Sequence, residues 1–333
     1  VTSSLNVSIG FSAGRGKTSA PYNSGEANIS IGTYTNYDVS TGKMNVSVGD
    51  RAGYEMDTGM HNTLLGNNAG YNVKDAVGTT IMGGYAGRYA SGSKNTFIGY
   101  GTGDGGTTSA PFSSGQYNTV VGAEAFDVFT TGDYNSIFGY QSGDAITTGN
   151  LNVAMGRSAL GAETIGISTV AIGDNAGSQQ NFGSAAATGN VMVGSGAGFW
   201  NVTGTGNTYL GAGAGTGASG QSNNNNTAVG KSALTAITTG GNNVVVGSSA
   251  GAAITTGASN AILGYQALDA ATTALNNVAI GKGAMGGITS GIAAAYCVAI
   301  GTDALYGNSS FSAGNSSYTV AIGYRAGYAI TNT

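Results

Sequence analysis

The chain has 333 residues, 61 of them glycine and two proline, and charged residues make up 8% where a soluble domain carries about a quarter. A net charge of −4 with 41% hydrophobic content excludes a disordered polyelectrolyte; the lack of proline and of a glycine period of three excludes collagen; eleven scattered Lys and Arg exclude a basic patch for nucleic acid. One cysteine, Cys297, allows neither an intrachain disulfide nor a thiolate metal cage, and no apolar run reaches the about 18 residues of a membrane-spanning helix.

From its first residues onward the chain repeats one phrase: an Asn, three residues ending in an aliphatic, a marker Gly, two variable residues, then Ala. The markers are Gly10, Gly32, Gly49, Gly66, Gly83, Gly99, Gly122, Gly139, Gly156, Gly173, Gly194, Gly211, Gly230, Gly247, Gly264, Gly281, Gly301 and Gly323. Ten of the seventeen intervals are 17 residues, one is 16, and six run from 19 to 23. The residue before the marker is Ile, Val, Leu, Met or Phe in every copy. Four before it stands Asn in fourteen copies, including Asn45, Asn62, Asn95, Asn118, Asn135, Asn152, Asn243, Asn260 and Asn277; Thr79, Thr169, Cys297 and Thr319 fill the column elsewhere. Three after it stands Ala in fifteen copies, and the next position is either Gly or a large apolar residue such as Phe126, Leu160 or Met285. A Thr-Gly pair often follows ten residues after the marker, as at Thr131-Gly132 and Thr256-Gly257.

Each phrase reads as a short strand stopped by a glycine free to take positive φ. A unit of 17 residues is too short for a helix pair, so the chain is predicted to be all-β: one repetitive domain over 1–333, a parallel β-solenoid of about eighteen coils. Coils stacked about 4.8 Å apart give a rod on the order of 85 Å long, with the Asn amides laddered at a buried corner. The expected parity turns the positions one and three before the marker inward. The position two before it then faces outward, yet it is apolar in fifteen copies, with only Ser8, Ser30 and Ser47 hydrophilic. An apolar outer face needs a cover. Ile81, Phe97, Val120, Ile137, Met192, Val245 and Ile262 are therefore expected to form an interface with another copy, which makes the protein an obligate homo-oligomer.

All the insertions fall between the Ala column and the next Asn. Two are near copies, Thr18 to Gly25 and Thr108 to Gly115, and they hold both prolines. Loops on a rigid scaffold often carry recognition. Pro21, Tyr22, Pro111, Phe112, Phe182, Trp200, Tyr306, Phe311 and Tyr318 are accordingly the candidate ligand-binding residues, with packing on a neighbouring chain as the alternative role. Thirteen of the fifteen acidic residues precede position 175.

The stretches Asn152 to Ala159 and Asn277 to Ala284 resemble the head repeats of trimeric autotransporter adhesins (YadA-like heads). Asn226-Thr-Ala-Val-Gly-Lys-Ser-Ala-Leu, with Thr-Thr-Gly after it, is similar to the related repeats of phage tail-fibre proteins. The resemblance covers nearly the whole chain. It implies a left-handed β-roll, three chains around a common axis, and a non-enzymatic fibre that mediates attachment to a cell surface. It further implies an extracellular location, on a virion tail fibre or a bacterial surface. Sister chains, other fibre or virion proteins and cell-surface glycan are the implied partners, with no cofactor, metal, nucleic acid or membrane insertion. Both ends fall inside a copy, so the chain is expected to be a segment of a longer fibre.

Catalytic chemistry finds little footing. His61 is the only histidine and sits directly before a repeat Asn. Asp127 with Asp133, and Glu55 with Asp57, are the only carboxylate pairs considered for glycoside cleavage, and nothing in the pattern singles them out. Gly211 to Gly217 lacks the lysine of a phosphate loop, the calcium-binding nonapeptide is missing, and Cys297 replaces a ladder Asn as a buried thiol. A self-assembling structural filament, an ice-binding solenoid and a depolymerising tailspike remain as alternatives.

Overall fold

The structure is a computed structural model that describes residues 5–18, 24–106, 112–288, 294–307 and 318–328. Each repeat forms one three-residue strand, and the residues on either side explain why it is so short. The residue before the ladder Asn takes φ near +60° in every copy, as at His61 (+60°) and Tyr134 (+57°). The marker glycine, with φ between +125° and +146°, ends the strand. No side chain fits at the marker, because a Cβ on Gly83 would lie 2.2 Å from the carbonyl oxygen of Gly99 in the next coil.

The chain divides into two compact units, Val1–Ser168 with Gly183–Ala186, and Thr169–Phe182 with Ala187–Thr333. Both are parallel β-solenoids, with no helix among the described residues. In the first, β1 (Val7–Ile9) to β9 (Val153–Met155) pair in sequence order; in the second, β10 (Val170–Ile172) to β18 (Val320–Ile322) do the same. The pairing is in register, so Leu64 stands against Ile81 and Ile81 against Phe97. Within each unit, from its second coil on, the marker N–H donates to the carbonyl before the preceding marker, as Gly66 does to Val48 at 2.8 Å. One residue per coil therefore repeats the same bond along the stack.

The Asn column makes a second set of bonds between coils. Asn62 Nδ2 donates to Asn45 Oδ1 at 3.1 Å and to the Ala76 carbonyl at 2.8 Å, while its own Oδ1 accepts the Thr79 N–H at 2.9 Å. Asn45, Asn118, Asn135, Asn243, Asn260 and Asn277 repeat the arrangement. Asn152 takes its place through its N–H to Asn135 Oδ1 and its amide to the Gly166 carbonyl. Thr79 has no amide to pass on. Asn95 therefore donates to the carbonyls of Gly92 and Gly115 and starts the ladder afresh. Insertion length leaves the register untouched: the Asn118 N–H reaches Asn95 Oδ1 across 23 residues at 2.9 Å, and Asn135 reaches Asn118 across 17 at 2.9 Å.

The coil interior reverses the expected parity. Ile81, Phe97, Val120, Ile137, Met192 and Val245 are fully buried within the single chain, and Ile262 is 2% exposed. These side chains fill the coils and are not an interface. A three-residue strand sends its middle side chain one way and its two flanking ones the other. The middle one is enclosed by the Asn and Ala columns, and none of the residues directly before the marker is buried.

Core volume is balanced between two columns. In most coils whose middle strand residue is large, the fourth position after the marker is glycine: Leu64 with Gly70, Ile81 with Gly87, Phe97 with Gly103, Tyr209 with Gly215; Val120 with Phe126 and Ile262 with Leu268 depart from this. Where the middle residue is Ala, that position often carries the bulk, as with Ala154 and Leu160, Ala228 and Leu234, or Ala279 and Met285. A Cβ on Gly103 would come within 2.8 Å of the Phe97 ring.

This pairing makes a cavity-and-fill experiment decisive. Phe97→Ala should lower unfolding stability by about 3 kcal/mol. Adding Gly103→Leu, which recreates the Ala-plus-Leu pair of other coils, should recover more than half of that loss in a chemical denaturation series. The single change Gly103→Leu should itself be destabilising, since Phe97 already fills the space.

Candidate interaction surfaces

Two surfaces are left once the core is assigned. The first is the outer strand face, formed by the residues one and three before each marker. It carries no charged residue in any strand. It remains open in this chain: Leu210, Val244 and Leu263 are 48%, 52% and 49% exposed. The column directly before the marker is apolar in every copy, so each nine-strand unit presents a continuous apolar stripe about 40 Å long at the usual strand spacing.

The second surface is the corner after the marker, at the first, second and fifth positions. More than half of the charged residues stand there, among them Arg51, Arg88, Asp104, Glu124, Asp127, Asp144, Asp269 and Asp303. Equivalent positions in successive coils stack, so side chains far apart in sequence become neighbours. At the fifth position Tyr37, Tyr54 and Tyr71 form a column of parallel rings, with centroids 5.0 and 4.8 Å apart. Arg15 closes one end, its guanidinium 4.6 Å from the Tyr37 centroid. Further along the same column come Arg88 and then Asp104, joined by two hydrogen bonds of 3.1 and 2.6 Å. Asp127 and Asp144 follow.

Burial raises the carboxyls of Asp127 and Asp144 above the ordinary range. Neighbouring acids add to this, chiefly Asp104 and Glu124 at Asp127, and Glu124 at Asp144. At Asp104 burial outweighs the pull of Arg88, and its carboxyl is raised as well. Asp57 goes the other way: burial would raise it, but hydrogen bonds from Lys17 and Ser40 and the charge of Lys74 hold it below the ordinary value. Asp57 thereby belongs to an ion pair with Lys17, and Asp133 accepts the Gln116 N–H at 2.6 Å. Both weighed carboxylate pairs thus have one member engaged structurally.

The candidate ligand residues are scattered. Pro21, Tyr22, Pro111 and Phe311 lie outside the described residues. Phe112 is half-buried, faces Tyr89 with ring centroids 6.4 Å apart, and borders a cleft of about 590 Å³ that also touches Lys17, Asp38, Glu55 and Lys74. Phe182 is buried, at 6% exposure. Trp200 meets Phe199 edge to face at 4.7 Å. Tyr306 stacks on Tyr328 at 5.7 Å and walls a cavity of about 420 Å³ with Asp269, Lys282 and Asp303, over Gly283 and Gly286. Tyr318 is 78% exposed and stacks on Tyr296 at 5.1 Å. The tyrosine column went unnoticed in the sequence, although Tyr37, Tyr54 and Tyr71 are spaced by the repeat itself.

No protein-family model matches the chain, and no curated protein does.

The acidic column gives a pH prediction. A carboxyl whose folded pKa is raised stabilises the fold while protonated, and that contribution is lost as pH climbs from the unfolded value through the raised one. Asp127→Asn should therefore raise the melting temperature at pH 7 by a few degrees. The gain should shrink as pH falls through the raised value and vanish below the ordinary carboxylate range, where the carboxyl is protonated in folded and unfolded chains alike. Parallel melting curves of the two chains across this range check it.

Proposed function

We propose that the chain is a non-enzymatic fibrous protein whose copies associate through the outer strand face, as a homotrimeric shaft or head that carries attachment to a cell surface. The observation behind this reading is the contrast between the two surfaces. One is an unbroken apolar stripe with no charge, open to water in the single chain. The other gathers the charged residues and the tyrosine column. Burial of apolar area at about 25 cal/mol per Å² favours covering the stripe. Sister copies suit it because their stripes have the same spacing, coil by coil. The resemblance to trimeric adhesin heads and phage tail fibres supplies the number three, the left-handed roll and the extracellular setting. Under this reading the stripe that joins the copies lies one residue to either side of the column first expected to do so, and the charged corner stays free for contact with the target surface.

Multi-angle light scattering of the full chain tests the association, with a mass about three times that of a single chain expected. Val246→Glu with Ile280→Glu puts two carboxylates on the outer face of the second unit without touching the coil interior. The double variant should dissociate while keeping its β-sheet circular dichroism, because charge cannot be covered by an apolar neighbour. A compact wild-type monomer would overturn the reading, as would a variant that stays associated. Binding of labelled trimer to intact bacterial cells, compared with the dissociated variant, tests attachment.

A further inference from the structure

The tyrosine column of the first unit stops at Tyr71, and it stops at a cavity. Tyr54 covers one face of the Tyr71 ring at 4.8 Å. On the other side the next coil has Arg88 in the column, and Arg88 turns away from Tyr71. Its guanidinium lies 5.1 Å from the Tyr85 centroid and 4.6 Å from that of Tyr89, and it holds Asp104 through Nε and Nη2. The space left is about 300 Å³, lined by Asn68, Tyr71, Tyr85, Arg88 and Tyr89.

Its chemistry is narrow. The guanidinium is neutralised by Asp104, yet only two of its five N–H groups are spent there, so a side chain with donors to spare lines a cavity of little net charge. The Asn68 amide donates to Asn67 Oδ1 at 2.8 Å, and its own carbonyl remains an acceptor. Three tyrosine rings supply apolar wall. An anion could reach the remaining Arg88 N–H groups only beside the Asp104 carboxylate, which already neutralises the guanidinium. A cation would meet the guanidinium. A purely aromatic guest would offer no partner to the Arg88 and Asn68 polar groups.

We infer that this cavity is a subsite for a neutral sugar ring of a surface glycan, with the C–H face of the ring on Tyr71 and its hydroxyls on Arg88 and Asn68. The inference rests on the attachment reading above and names the class of ligand. None of the five lining residues belongs to the outer strand face, so association of copies through that face involves different residues.

Saturation-transfer NMR on the full chain tests it, with maltohexaose, cellohexaose and chitohexaose as neutral probes and oligogalacturonate as the anionic one. At least one neutral oligomer should bind saturably. Tyr71→Ala should weaken that binding by roughly tenfold, the loss of one stacking contact. Asn68→Ala should weaken it less. Light-scattering mass and circular dichroism of both variants should match the wild type, so that lost binding is not lost fold. The proposal is overturned if no neutral oligomer binds, if oligogalacturonate binds as well as the neutral ones, or if Tyr71→Ala binds unchanged. Those results leave the scattering mass, and with it the associated-fibre reading, unaffected, whereas a monomeric wild type that binds sugar would overturn only the latter.

Discussion

The fold depends on hydrogen bonds that run from coil to coil, and the Asn amide is where they concentrate. A coil of this length has little bonding within itself: one three-residue strand, then turns closed by short-range bonds such as Met56 N–H to the Gly53 carbonyl at 3.0 Å. The backbone donors and acceptors must find partners in the coils on either side. The strand pairs take care of the extended part. In the repeated form seen at Asn62, the amide reaches a side-chain oxygen behind it and a turn carbonyl ahead of it, while the Asn oxygen takes the backbone N–H of the next coil. One side chain thus ties three coils together at a buried corner, where an unpaired polar group would be costly. Serine or threonine reaches fewer of these partners, which is the physical reason Asn dominates the column.

Much of the fold was legible from residues alone, because a stacked architecture writes its geometry into columns. The period, the strand positions, the marker turn and the Asn corner all follow from spacing. Parity did not follow, and the cause is specific. Hydrophobicity cannot tell the inner face of a strand from the outer when both are apolar, as in Val191-Met-Val193 or Val244-Val-Val246. A different signal was present. The middle residue varies in size from Ala to Tyr, and in most coils the residue six positions later varies inversely: Phe97 with Gly103, Ala228 with Leu234. Such compensation is what close packing demands inside a fixed volume, and nothing on a surface demands it. The column before the marker shows no such partner.

The interaction surfaces were less legible, since they depend on which side chains the stacking brings together. Tyr37, Tyr54 and Tyr71 are ordinary tyrosines in sequence and a column of rings in space. Arg88 and Asp104 form their pair across a coil boundary, and it is the turning of Arg88 toward that pair that opens the cavity beside Tyr71. The isolated aromatics do not come together in space: Phe182 is enclosed, and Trp200 lies half-buried against Phe199. Charge placement was the better guide. Ion pairs, acids and the tyrosine column share the corner after the marker, and the strands carry none of them.

The equal bond lengths at Asn118 and Asn135 have an evolutionary meaning. A spacer six residues longer alters nothing in the contact that follows it, so the pitch is kept by the amides and the corner segments are released from any duty to measure distance. Copies can then be gained or lost by unequal recombination, and each corner can drift in length and composition, without renegotiating the neighbours. Reach becomes a matter of counting modules, and what each module displays becomes a separate choice.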